Sequence, residues 1–155
     1  MAIDIIPFEP RYASTFKDLN VAWLNEYFYV EPKDEILLKN CEEAIIDTGG
    51  YIFFARYEDA TVGCFSFIKL DGSCYELGKM AVDKEYQGLR IGQELMEFAV
   101  SFAKEKSWEK LVLYSSTKLP TALHIYRKYG FKVVELEKDL PYARSDIKME
   151  LLIHN

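Results

Sequence analysis

Sulfur and imidazole are scarce in this chain of 155 residues. Its three cysteines, Cys41, Cys64 and Cys74, show no CxxC spacing. An odd count without a framework reads as reduced thiols in a cytoplasmic protein, not as a disulfide scaffold. The two histidines, His124 and His154, sit in no cluster with cysteine or carboxylates at ligand spacing, so no catalytic metal is expected. Long apolar runs are missing as well. No window approaches the length of a membrane-spanning helix. The first residues, Met-Ala-Ile-Asp-Ile-Ile-Pro, lack the basic region and apolar run of a signal peptide. There are no internal repeats, low-complexity segments or long linkers, so residues 1–155 are expected to form a single domain. Positive charge is outnumbered: the net charge of -6 argues mildly against nucleic acid as a partner and is compatible with a cationic substrate.

What is present is enough for a core. Apolar residues make up 50% of the chain and aromatics 15%, which supports a folded globule. Residues 2–7 read as an edge strand ending at Pro7. Pro10 opens a helix carrying Phe16, Leu19, Trp23 and Leu24 to about Asn25. An aromatic loop, Tyr27 to Pro32, precedes a second helical stretch to about Asp47, with a break near Asn40. Three strands then follow: Tyr51–Tyr57, Thr61–Leu70 and Cys74–Val82, with Asp71-Gly72 as a hairpin turn. A helix starts near Ile91, with Ile91, Leu95, Ala99, Phe102 and Ala103 as its apolar stripe. Lys110–Ser115 reads as a buried strand, Pro120 begins a helix ending at Gly130, and strands at Phe131–Leu136 and about Ser145–Leu152 complete the chain. The order β-α-α-β-β-β-α-β-α-β-β predicts an α/β fold, a mixed sheet with helices on its faces.

One stretch organises the rest. From Leu77 to Phe102 an apolar strand ends at Val82, a polar turn carries Gly88 and Gly92, and a helix begins. Unpaired backbone N–H groups at the positive end of that helix converge on one spot, which suits a phosphate. The donors would be the N–H groups of Gln87, Gly88, Leu89, Arg90, Ile91, Gly92 and Gln93.

Gln87-Gly88-Leu89-Arg90-Ile91-Gly92 resembles the acetyl-CoA-binding signature of the GNAT (Gcn5-related) N-acetyltransferase superfamily, Gln/Arg-x-x-Gly-x-Gly/Ala. Ala122–Phe131 resembles the second signature, a helix ending in Tyr-x-x-x-Gly-Phe. The resemblance implies a central mixed, mostly antiparallel sheet of about seven strands flanked by about four helices. Two positions depart from the pattern. Arg90 stands where the first glycine of the signature falls, and it keeps its N–H donor only if its backbone is ordinary. Ser116, Thr117 and Leu119 stand where the family often has a pantetheine-binding Asn.

The resemblance also implies roles. Met80, Ala81 and Val82 lie on the strand that splays from its neighbour and leaves backbone groups for the pantetheine amides; Gly78 permits a bulge there. Ser116 lies beside the same arm, and Gln87 to Gln93 take the pyrophosphate of acetyl-CoA. Tyr126 is the general acid for the departing thiolate, and Glu76 is the candidate general base. Tyr27, Phe28, Tyr29 and Glu31 cover the acceptor amine, by cation–π contact and ion pairing. The expected protein is an acyl-CoA-dependent N-acyltransferase that acetylates a primary amine, on a small molecule or a peptide, by direct attack. No metal, nucleic acid or membrane takes part, and the final strand offers an edge for a homodimer. Two alternatives stay open: a non-catalytic acyl-CoA sensor with a drifted loop at Arg90, and an interaction domain using the Tyr27–Tyr29 surface.

Overall fold

The computed structural model describes residues 3–140 and 142–153. Ala2 and His154 lie outside them. Within these residues the chain forms one sheet of seven strands in the order β1-β2-β3-β4-β5-β7-β6. The strands are β1 (Ile3–Pro7), β2 (Tyr51–Tyr57), β3 (Ala60–Asp71), β4 (Cys74–Val82), β5 (Lys110–Ser115), β6 (Lys132–Val134) and β7 (Ile147–Leu152). Every neighbouring pair is antiparallel except β4 and β5. Four α-helices flank the sheet: α1 (Ala13–Tyr27), α2 (Pro32–Lys39), α3 (Ile91–Glu105) and α4 (Pro120–Lys128). Among the described residues, no helix is long and apolar enough to cross a membrane.

The sheet is covered on both faces, and β2 shows why its sequence is apolar from residue 51 to 55 without alternation. Phe53 and Ala55 point into one core, with Phe65, Phe67, Leu95, Ala99 and Trp108. Ile52 and Phe54 point into the other, with Phe16, Leu24, Leu38 and Ile45. The first core is built of rings; Phe53 meets Phe98 edge-on at 4.9 Å, and Tyr75 stacks on Trp108 at 3.7 Å. Such offset and edge contacts each add about 0.5–1.5 kcal/mol beyond burial.

Several boundaries move from their expected places, each for a local reason. Helix α1 runs on to Tyr27, because the Phe28 N–H still reaches the Leu24 carbonyl and Tyr27 packs on Trp23 one turn back. The second helical stretch does break at Asn40, and residues Glu42–Ile46 form a wider π-type turn. Strand β6 is cut to Lys132–Val134, since β7 offers it partners only through Lys148. Phe131 is instead drawn into the end of α4, where its N–H donates to the Tyr126 carbonyl. Ser145 and Asp146 stay out of β7. The Asp146 carboxylate accepts the Thr117 N–H at 2.8 Å and the Thr117 hydroxyl at 2.6 Å, pinning the β5–α4 turn.

Candidate active site

Strands β4 and β5 begin side by side and then part. Their parallel pairing covers Cys74, Tyr75 and Glu76 opposite Lys110, Leu111 and Val112, and it stops there. Strand β4 continues to Val82 and β5 to Ser115 without pairing again. The cause lies in β4. Between the pairs Ser66–Gly78 and Cys64–Ala81, two residues of β4, Lys79 and Met80, oppose the single residue Phe65. This is a bulge, which bends a strand and increases its twist. Gly78 was the residue expected to permit it, but the left-handed conformation falls on Lys79, at φ 52°. The bulge's carbonyls are satisfied by β3 side chains: the Ser66 hydroxyl donates to Gly78 and the Cys64 thiol to Lys79.

The opening between the strands is a cavity of about 480 Å³, within the range of small-molecule sites. Met80 and Val82 line it from β4. The Asp83 N–H donates to the Val62 carbonyl on β3. Strand alternation therefore turns the Val82 N–H to the other side, where β5 has left. Ala81 is buried in the core under α1 and α2 and does not line the cavity.

The floor of the cavity leads to the N-terminus of α3. Gln87, Gly88, Arg90, Ile91, Gly92 and Gln93 all line it; Leu89 is exposed and does not. The first intrahelical bond runs from the Glu94 N–H to the Arg90 carbonyl, which leaves the N–H groups of Ile91, Gly92 and Gln93 without helical partners. The Gln87 N–H is spent on the Lys84 carbonyl in the preceding turn, so it is not one of the free donors. Gly88 takes φ 86°. Arg90 does not have the ordinary backbone that its side chain favours. It adopts φ 63° and ψ 20°, the left-handed shape a glycine would take there. Its guanidinium donates to the Gln93 side chain at 3.1 Å, and Lys128 from α4 donates to the same oxygen at 3.1 Å. Two cations thus flank the helix terminus.

Glu76 and Tyr126 face the same cavity. Glu76 is the last paired residue of β4, 5% exposed, and accepts no hydrogen bond among the described residues. Burial pushes its carboxyl above the usual range, and Lys33 and Lys79 pull it part of the way back. Tyr126, on α4, has its phenol pushed up by burial, partly offset by the Ser115 hydroxyl. A raised phenol stays protonated and can give a proton. A raised carboxylate accepts one more readily. Ser116 lines the cavity at the end of β5, its hydroxyl accepting the Lys118 N–H. None of the three cysteines lines the cavity, and burial pushes the Cys64 thiol up to about 12. No thiolate nucleophile stands in the site.

The residues expected over the acceptor divide. Phe28 lines the cavity. Tyr27 and Tyr29 are 44% and 57% exposed and do not. Glu31 is not free to pair with a ligand. Its carboxylate accepts the Ala143 N–H at 2.7 Å and the Arg144 guanidinium at 3.0 Å. Instead, the far end of the cavity is built from Lys79, Tyr142, Arg144 and Ser145. Sequence reading missed these residues. Lys79 follows a glycine in an otherwise apolar strand, and 142–145 lie in a loop; nothing in the local pattern places them beside Glu76.

Comparison with known proteins agrees with this geometry. The acetyltransferase (GNAT) domain family profile matches residues 48–133. The chain belongs to the GNAT acetyltransferase family. It is 28% identical over 100 residues to an uncharacterized N-acetyltransferase of Schizosaccharomyces pombe, covering 63% of this chain and 58% of that protein. The chain spans less than two thirds of the length of the curated relatives it matches. The fold is shared with a GNAT-family acetyltransferase from Staphylococcus aureus Mu50, at TM-score 0.86 and 24% identity over 99% of this chain and 100% of that one. It is also shared with a PaiA N-acetyltransferase from Thermoplasma acidophilum in complex with coenzyme A, at TM-score 0.76 and 20% identity over 98% and 99% of the two chains.

Proposed function

We propose that this protein transfers an acetyl group from acetyl-CoA to a primary amine by direct attack. The observation that carries the reading is the parting of β4 and β5 directly above the free N–H groups of α3, with Glu76 and Tyr126 on the walls. The residues fit a CoA thioester. Apolar Met80 and Val82 suit the pantetheine arm, and the open edge of β4 can pair with its amides as an added strand would. The N–H groups of α3, with Arg90 and Lys128 beside them, suit the pyrophosphate.

The chemistry follows from the two perturbed groups. An ammonium must lose a proton before its nitrogen can attack, and the Glu76 carboxylate takes it, directly or through water. The C–N bond forms as the carbonyl oxygen gathers charge, which the Val82 N–H stabilises. The C–S bond then breaks, Tyr126 protonates the thiolate, and the proton that the attacking nitrogen sheds in becoming the amide restores the phenol. The absence of a cavity cysteine supports transfer without an acyl-enzyme. The alternative sensor reading needs neither a general base nor a general acid, and the presence of Glu76 and Tyr126 in the cavity favours the enzyme.

Thiol release on mixing protein, acetyl-CoA and a broad amine panel tests the proposal. Release that depends on both amine and protein is expected. A rise in melting temperature with acetyl-CoA, but no thiol release with any amine, would overturn the enzyme reading in favour of the sensor.

A further inference from the structure

The far end of the cavity holds more charge than proton transfer at Glu76 requires. Asp34, 0% exposed, sits behind it. Its carboxylate binds the Lys79 ammonium at 2.5 Å and the Arg144 guanidinium through two contacts, at 2.6 and 2.9 Å. Glu31 binds Arg144 as well. Lys79 and Arg144 line the cavity, but Asp34 and Glu31 do not. Lys79 and Arg144 thus form part of the cavity wall, with their charged ends tied to the carboxylates of Asp34 and Glu31 behind it.

Lys79 reaches this place only because of the bulge. Tyr75, Leu77, Met80 and Val82 face the core under α3, while Ala81 faces the core under α1 and α2. A regular strand would send Lys79 to the α3 side. As the extra residue in left-handed conformation it is turned to Asp34, at a backbone cost of about 1–2 kcal/mol. Strain of this kind at a cavity wall points to use. The ammonium, its side chain 5% exposed, spends one N–H on Asp34 and one on the Tyr142 hydroxyl at 3.1 Å. One N–H is left without a partner among the described residues. Meanwhile the Tyr142 ring is already occupied, with Lys79 at 4.4 Å and Arg144 at 4.3 Å from its centre.

Resting on the acetyltransferase reading, we propose that Lys79 is a specificity-determining residue that binds the carbonyl or carboxylate oxygen next to the acceptor amine. The acceptor class is then an α-amino carbonyl compound, an amino acid or a peptide N-terminus. Glu76 takes the proton from the amine while Lys79, three residues on, holds the neighbouring oxygen. A polyamine has no oxygen beside its amine for Lys79 to hold and is disfavoured.

The test compares alanine, methionine and phenylalanine, each as acid, as amide and as the corresponding decarboxylated amine, with spermidine alongside. Thiol release is measured for the wild type, Lys79→Met and Lys79→Arg, and melting temperatures monitor folding. For at least one side chain, the acid or amide should exceed the matching plain amine in kcat/KM by about tenfold or more, the size of one charge-assisted hydrogen bond. Lys79→Met should collapse that ratio and Lys79→Arg should restore part of it. Plain amines or spermidine outrunning every acid and amide would overturn the assignment of Lys79 and leave acetyl transfer standing. An unchanged ratio in folded Lys79→Met would overturn it too. No transfer to any acceptor would instead sink the acetyltransferase reading.

Discussion

At Arg90 a long side chain holds a backbone shape that glycine adopts freely. The position sets local strain against charge. Arg90→Gly should leave stability level or raise it by up to about 1 kcal/mol, because the left-handed penalty is removed while the unfolded chain gains freedom. The same change should weaken CoA binding, since a cation beside the pyrophosphate is lost. Melting temperature and calorimetric affinity, measured together, check both halves. Glu76 sets up a similar opposition. Burial raises its pKa, so its ionised form is costly in the fold, and the base works only where that form is populated. Activity should therefore fall on the acid side at a pH above the ordinary carboxylate range. Glu76→Gln should remove that limb and cut kcat/KM by about a hundredfold or more. It should also raise the melting temperature, because a buried charge is gone. A pH–rate profile beside a thermal melt reads both effects.

Elements meet at the buried ion cluster. Asp34 on α2, Lys79 on the β4 bulge and Arg144 before β7 are tied through one carboxylate. Burial alone would raise the Asp34 pKa, but Arg144 and Lys79 outweigh it and hold the group at about 2 against an ordinary 3.8. The sign follows: a lowered pKa gives stability that is full above the ordinary carboxylate value and is lost as pH falls through about 2. That contribution is about 2 kcal/mol. Asp34→Ala should cost about 3–5 kcal/mol at neutral pH, since the buried Lys79 loses its carboxylate and Arg144 is left with Glu31 alone. Its acid unfolding should lose the corresponding pH dependence, which denaturation curves at stepped pH would show. The contrast between elements also explains what a reader of the sequence can see. Strand β4 and the turn before α3 are legible because period, glycines and helix start all lie within one short stretch. The acceptor wall is not. Glu31 reads as an acceptor-facing loop carboxylate, and only the fold brings Ala143 and Arg144 to Glu31 and Asp34 across more than a hundred residues. The bulge is legible at Gly78 but its left-handed residue is Lys79, because the conformation is decided by what the side chain reaches, not by the residue most tolerant of it.

For the whole molecule, the two cores fix the sheet and the parting of β4 from β5 fixes the cavity within it. In the proposed function, the α3 terminus, the open edge of β4 and Tyr126 would take three parts of one ligand, from pyrophosphate to sulfur. A ligand bound along that length must stabilise the native state by mass action. Tyr126→Phe should bind acetyl-CoA like the wild type and turn over about a hundredfold or more slowly, the range of a lost general acid. The most direct measurement is a calorimetric titration of the wild-type protein with acetyl-CoA, followed by a thermal melt of the saturated sample. One site per chain is expected, with a melting temperature that climbs with acetyl-CoA concentration. No heat and no shift at millimolar acetyl-CoA would contradict this expectation.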